Sequence, residues 1–273
     1  MSDLTLGGST AARIEHTPHA THSGRRLRLL SFNIQTGITT SRYRQYLTQS
    51  WRHVLPFAQR SGNLDTIANL VSDYDLVGLQ EVDAGSIRSS HINQTEYLAA
   101  RGNFPFWYDQ TNRSLGRFAQ HSIGILSRLQ PSYIREHKLP GRIPGRGVLL
   151  VRFGDSVHGL TVLIVHLALS RRARLHQLGF ISELINSERH VILMGDLNCR
   201  SHSPEMDYLI NATLMREPTH GLNTFPSWRP QRNIDHILVT PTLQVDSAHV
   251  LNVPLSDHLP IAMDITLPES VRL

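Results

Sequence analysis

Short apolar runs broken by polar loops recur from Leu27 almost to the end of the chain. Runs at 27–32, 76–79, 106–108, 122–126, 147–153, 160–167, 191–194, 236–239 and 261–265 predict strands. Elsewhere the apolar period lengthens. In 172–189, Leu175, Leu178, Ile181 and Ile185 recur at three- and four-residue steps, the spacing of one helix face. In 63–73, Leu64, Ile67, Ala68 and Val71 repeat it. The stretch 41–60 also reads as helical until Pro56, which lacks a backbone donor, and its aromatics read as core anchors. Strands interleaved with helices imply an α/β or α+β fold with mixed sheets.

At 273 residues, 40% hydrophobic and 18% charged, the chain is long enough to bury a sizeable core without needing a second domain. Cys199 is the single cysteine, which excludes an intramolecular disulfide framework and fits a reducing, cytoplasmic setting. Residues 1–26 lack a continuous apolar segment and read as a flexible N-terminal arm, with one domain over 27–273. No later run reaches the roughly 18 apolar residues of a membrane span, so integral membrane association is not expected. His16, His19 and His22 in the arm carry ligand-type side chains, but Pro18 and polar neighbours favour a solvated arm.

Charge sharpens the picture. There are 27 basic and 22 acidic residues, net +5, and Lys138 is the only lysine. Arginine grips phosphate with a planar fork and does not titrate, so the excess suits a polyanionic substrate such as DNA or RNA; codon usage in a GC-rich genome explains it equally well.

Candidate chemistry sits where strands begin or end. Asn33 follows an apolar run, Glu81 ends another, His166 lies in a third, and Asp196 and Asn198 close VILMGDLN with the i, i+2 spacing that shares a strand face. Asp235 precedes a predicted strand, and Asp257 and His258 precede the last. Singly, each has a structural explanation in a turn, a cap or a satisfied core histidine. Together they supply hard oxygen ligands, an orienter of water and donors for developing charge, which is the inventory of metal-assisted phosphoryl chemistry.

Taken in order, SFN at 31–33, LQEVD at 79–83, ILSR at 125–128, VHL at 165–167, GDLN at 195–198, TFPSW followed by NIDHILV, and SDHLP at 256–260 resemble the endonuclease/exonuclease/phosphatase superfamily. The resemblance implies a four-layer α-β-β-α sandwich, two mixed sheets face to face with helices outside. It also implies Mg²⁺, with Mn²⁺ an alternative, held by Asn33 and Glu81 with Asp257 as a further candidate. By the same resemblance Asp196 and Asn198 orient water and phosphate, Asp235 holds His258, and His166 donates across the phosphate. One departure is Gln120-His121, where the family commonly has glycine-asparagine; His121 reads as a surface histidine.

Three functions are compatible with these residues. The first is a Mg²⁺-dependent phosphodiesterase acting on nucleic acid, supported by Arg42, Arg44, Arg52, Arg171, Arg172 and Arg174 if they face the cleft. The histidine of VHL and the sequence LQEVD differ from the abasic-site repair members. The second is a sphingomyelinase-like phospholipid or inositol-phosphate phosphoesterase, which needs an apolar rim; FPFW at 104–107 is its candidate, and a buried strand accounts for that better. The third is a catalytically silent nucleic-acid-binding module, against which every expected ligand is retained.

Overall fold

A computed structural model describes residues 24–35, 57–86, 89, 91–114, 120–141 and 145–273. Residues 1–23 of the expected arm lie outside the described residues, as do Arg42, Arg44, Arg52 and the side chain of His121. Among the described residues eleven strands form two mixed sheets. The first holds β1 (Arg26–Asn33), β2 (Leu76–Asp83), β3 (Phe106–Ser114), β4 (Gln120–Ser127), β10 (Gln244–Val250) and β11 (Ile261–Thr266), in the order β10-β11-β1-β2-β4-β3. The second holds β5 (Tyr133–Lys138), β6 (Gly147–Phe153), β7 (Leu160–His166), β8 (Val191–Asp196) and β9 (Asp235–Val239), in sequence order. Among the described strands only β1–β2 and β7–β8 pair parallel.

Alternation along each strand builds the layers. Leu29, Leu76, Ile125 and Met263 of the first sheet meet Val151, Ile164, Met194 and Ile237 of the second in the central core. Their neighbours Leu30, Val77 and Leu79 face outward, against α1 (Phe57–Val71) and α2 (Gln94–Arg101). Leu163, Val165 and Leu193 likewise face α3 (Arg171–Asn186) and α4 (Pro204–Thr213). Strands covered on both faces carry continuous apolar runs, which is why periodicity found them. Gly78 lets the sheets approach, since a Cβ there would stand 2.6 Å from Met194 Sδ. The result is the four-layer sandwich expected.

Two strands and two helices were not anticipated from the pattern. β5 and β10 are sheet edges with largely exposed residues, so YIREHK and QVDSAHV carry little apolar signal. The helices α2 and α4 are short. Their starts were nonetheless marked, because Asn93 and Ser203 cap the backbone N–H groups of Glu96 and Met206. Helix α1 begins at Phe57, and 41–56 of the stretch expected to be helical lie outside the described residues.

Candidate active site

Strand register assembles half of the site. His166 ends β7 opposite Asp196 of β8, and Asp196 stands opposite Asp235 of β9. Residues in lateral register share a face, so these three side chains form a row across one end of the second sheet. His166 Nε2 lies 3.5 Å from Asp196 Oδ2. Gly195 allows the preceding backbone its shape: φ is +144°, and a Cβ would collide with Val165 O at 2.0 Å. After Asp196 the chain turns through Asn198 at φ 51°, a conformation asparagine tolerates. Asp196 Oδ1 accepts from Asn198 N at 2.9 Å, and Asn198 Nδ2 donates to Leu167 O at 3.0 Å.

The first sheet supplies the other half. Asn33 ends β1, and its Nδ2 donates to both Glu81 Oε1 and Asp196 Oδ2 at 3.3 Å, joining the two sheets through side chains. Its Oδ1 accepts from Gln35 N at 3.2 Å, so the amide must turn before its oxygen faces a cation. Glu81 occupies a register shift between Gln80 and Val82, with φ 56°. A bulge re-aims one side chain, and a positive φ at a non-glycine residue costs about 1–2 kcal/mol, strain of the kind that collects at functional sites. Glu81 is the most open carboxylate of the group, 29% exposed.

The loop before β11 closes the site. Ser256 Oγ donates to Asn33 O at 2.6 Å and accepts from His258 N at 3.0 Å, tying that loop to the end of β1. His258 Nδ1 donates to Asp235 Oδ2 at 2.8 Å, while its Nε2 stands 4.0 Å from Asp196 Oδ2. Thr224, fully buried, donates its hydroxyl to the same Asp235 oxygen. The Phe225 ring packs on the His258 ring with centroids 4.9 Å apart. All eight residues singled out from sequence therefore meet at one end of the sandwich. Thr224, Phe225 and Ser256 were missed as site residues, although TFPSW and SDHLP contain them.

Electrostatics show what the cluster lacks. Burial raises the Asp196 carboxyl to about 7, with Asp235 adding to the rise against the opposing pull of His258. Burial also raises Asp257, to about 6; His258 opposes this and Glu81 and Asp235 add to it. For His258 burial disfavours the charged ring, yet Asp235, Asp196 and Asp257 outweigh it and hold it at about 10. Asp235 Oδ1 and Asp257 Oδ1 are buried without a hydrogen-bond partner. Buried carboxylate oxygens without a hydrogen-bond partner fit a divalent cation. Among the described residues, Asp196, Asp235 and His258 bring ligand atoms within 4.8 Å of one another.

A second acid–histidine cluster lies behind β9. His236 faces away from the site, its Nε2 against Cys199 O at 2.8 Å and its Nδ1 2.9 Å from Glu217 Oε1, off the hydrogen-bond line. Glu217 also accepts from Ser201 Oγ at 2.5 Å and lies 3.6 Å from His220. Several arginines also have structural work. Arg174 binds Glu205 at 2.6 Å and the carbonyls of Ala168 and Leu169, and Arg171 leans on Glu205 at 3.9 Å. Of FPFW, Phe104 is buried and Phe106 opens β3 opposite Ser127, the end of the sheet remote from the site.

Two mixed sheets packed between helices, with strand ends converging on carboxylates, amides and histidines, define an α-β-β-α sandwich with its polar site at one end. Residues 30–258 match the Endonuclease/Exonuclease/phosphatase family, and the chain belongs to it. Members of this family are phosphate-ester hydrolases. No curated protein matches the sequence. Solved structures share the fold. An endonuclease/exonuclease/phosphatase from Beutenbergia cavernae is 22% identical with a TM-score of 0.71, over 90% of this chain and 72% of that one. The mannosyl-6-phosphatase of Bacteroides thetaiotaomicron is 16% identical with a TM-score of 0.67, over 88% and 100%. The human nocturnin catalytic domain with bound sulfate is 16% identical with a TM-score of 0.66, over 90% and 94%.

Proposed function

We propose that the chain is a divalent-metal-dependent phosphodiesterase acting on nucleic acid. The observation that carries this is the pair of buried, partnerless carboxylate oxygens beside an Asp–His pair, in a chain of this family. Glu81 and Asp257 offer hard oxygen ligands, and Asn33 adds an amide oxygen once its side chain turns. Mg²⁺ prefers such oxygens to the imidazole of the Asp196, Asp235 and His258 trio, which supports the former set. A divalent ion in such a setting supplies polarisation of a phosphate oxygen and neutralises charge on the leaving group.

The chain's own groups then do the following. Asp235, fixed by Thr224, holds the His258 ring through Nδ1 and leaves Nε2 facing Asp196. His258 takes a proton from water only as neutral imidazole, so the carboxylate charge that holds its ring protonated must first be offset. Asn198 and His166, both beside Asp196, serve in this reading as donors to phosphate oxygens.

A lipid substrate calls for apolar residues at the mouth, and FPFW lies at the other end. No described helix is long and apolar enough to cross a membrane. The test is hydrolysis with Mg²⁺ or Mn²⁺ of plasmid DNA, RNA, abasic duplex, sphingomyelin, inositol phosphates, mannose 6-phosphate and bis-p-nitrophenyl phosphate. Cleavage of DNA or RNA is expected, and activity confined to a lipid or a monoester would refute the reading. Glu81→Gln should need more Mg²⁺ both for activity and for thermal stabilisation.

A further inference from the structure

The hairpin that carries Thr224 and Phe225 has a basic residue with no assigned task. Phe225 N donates to Arg232 O and Arg232 N donates to Phe225 O, both at 3.0 Å, so the two residues form a hydrogen-bonded antiparallel pair. Side chains of such a pair leave the same face, with Cα atoms about 5.5 Å apart. Phe225 lies on the ring of His258. Arg232 therefore rises from the face of the hairpin that overhangs the reacting end of the site, within the reach of its own side chain.

Most arginines near a structural seam in this protein are occupied. Arg128 binds the carbonyls of Ser72, Gly102, Asn103 and Tyr74; Arg152 pairs with Glu188; Arg174 pairs with Glu205; Arg216 binds Leu243 O. Arg232 is exposed, and its guanidinium has no hydrogen bond or ion pair with a described residue. Four carboxylates, Glu81, Asp196, Asp235 and Asp257, lie in the adjoining cluster, yet none binds it. An unpaired guanidinium beside a phosphate-handling site is a ready fork for an anionic oxygen.

We propose that Arg232 binds a second phosphate of the substrate, the one flanking the scissile group, so that the site is built for a polynucleotide backbone. This rests on the phosphodiesterase reading above and extends it from the reacting phosphate to its neighbour. A lone phosphomonoester or a small diester has nothing to offer Arg232. Successive backbone phosphates do.

The experiment compares duplex DNA with bis-p-nitrophenyl phosphate, in Mg²⁺, for the parent chain, Arg232→Ala, Arg232→Lys and Arg189→Ala. Arg189 precedes β8 at the opposite end of the sheet and controls for net charge. Arg232→Ala should lower the ratio of kcat/KM for DNA over the small diester by about tenfold, the scale of one charge-assisted contact. The slope of log kcat/KM for DNA against log salt should become shallower by about 0.9, one phosphate contact's worth. Arg232→Lys should restore that slope and part of the rate, and Arg189→Ala should match the parent. An unchanged salt slope, or equal losses on both substrates, would overturn the assignment of Arg232. Parent activity on the small diester without activity on DNA would overturn the polynucleotide proposal and leave a phosphoesterase; activity on neither would overturn both.

Discussion

Asp235 and His236 are consecutive on β9, and each belongs to an acid–histidine pair. Asp235 faces between the sheets and holds His258 at 2.8 Å. His236 faces the helical layer and sits 2.9 Å from Glu217. The separations are alike and the surroundings are opposite. Both oxygens of Glu217 face donors or histidines: Oε1 meets Ser201 and His236, Oε2 meets His220. Burial pushes the Glu217 carboxyl up, but these neighbours outweigh it and hold the group low. Around Asp235 one oxygen is unpartnered and two further carboxyls are driven upward. An acid–histidine pair whose carboxylate is ringed by Ser201 and two histidines is a brace for the 196–199 loop, through the Cys199 carbonyl. One left among unsatisfied acids is prepared for a cation and for proton transfer.

The largest effect should separate the pairs by kind. His258→Ala should lose on the order of 10² or more in kcat, the scale of a general base, while keeping its fold in Mg²⁺. His236→Ala should lose about 3 kcal/mol of stability, because it leaves a buried carboxylate short of its partner, with kcat of the folded fraction retained. Denaturant titration beside steady-state kinetics checks both. A catalytic collapse in His236→Ala without unfolding would erase the distinction.

The next contrast is in pH. Asp196 and Asp257 have folded pKa values raised above the ordinary 3.8, and His258 above 6.5. For all three the folded state binds more protons than the unfolded one. Their contribution is therefore most favourable at low pH and is lost as pH rises, from about 4 through 7 for the carboxyls and on through about 10 for His258. In chelator, the melting temperature should fall over that window, and Mg²⁺ should flatten the fall. Asp257→Asn should raise metal-free stability at pH 8 by about 2–3 kcal/mol, because the buried carboxyl that has to ionise there is gone, and should reduce the stabilisation by Mg²⁺. A metal-free protein most stable at pH 9 would contradict this balance of charge and burial.

Glu217 has the reverse sign. Its folded pKa is depressed, so its contribution is present above the unfolded value near 4.5 and is lost as pH falls through the lower folded one. Glu217→Gln should cost about 2 kcal/mol at pH 7 and make stability less sensitive to acid. Smaller still, Thr224→Val removes the hydroxyl donor to Asp235 and should lower kcat severalfold, about 1 kcal/mol, with an altered pH profile. An unchanged profile would mean that Asp235 is held adequately without Thr224.

How much of the molecule was legible in its sequence follows from range. Strands such as LTVLIVH and VILM announce themselves because burial on both faces demands apolar residues at every position, a local property of the chain. β5 and β10 do not, because an edge strand is held by backbone pairing that many side chains permit. The residue types of the site were visible as polar interruptions at strand ends, and their order carried the family resemblance. The resemblance also pointed to His258 as the ring held by Asp235, whereas the residue pattern by itself did not separate it from His236. His236 and His258 each lie beside an aspartate in the sequence; the alternation of β9 turns His236 to the helical layer and Glu217, and the closure of the 256–260 loop brings the His258 ring to Asp235. Asn33 reaches Asp196 across 163 residues and Ser256 reaches Asn33 across 223. Local sequence determined which chemical groups the protein carries and roughly where strands present them. Desolvation and distance depend on what the rest of the chain packs against a group, so the raised carboxyls, the orphaned oxygens and the unspent Arg232 came into being only with the tertiary fold.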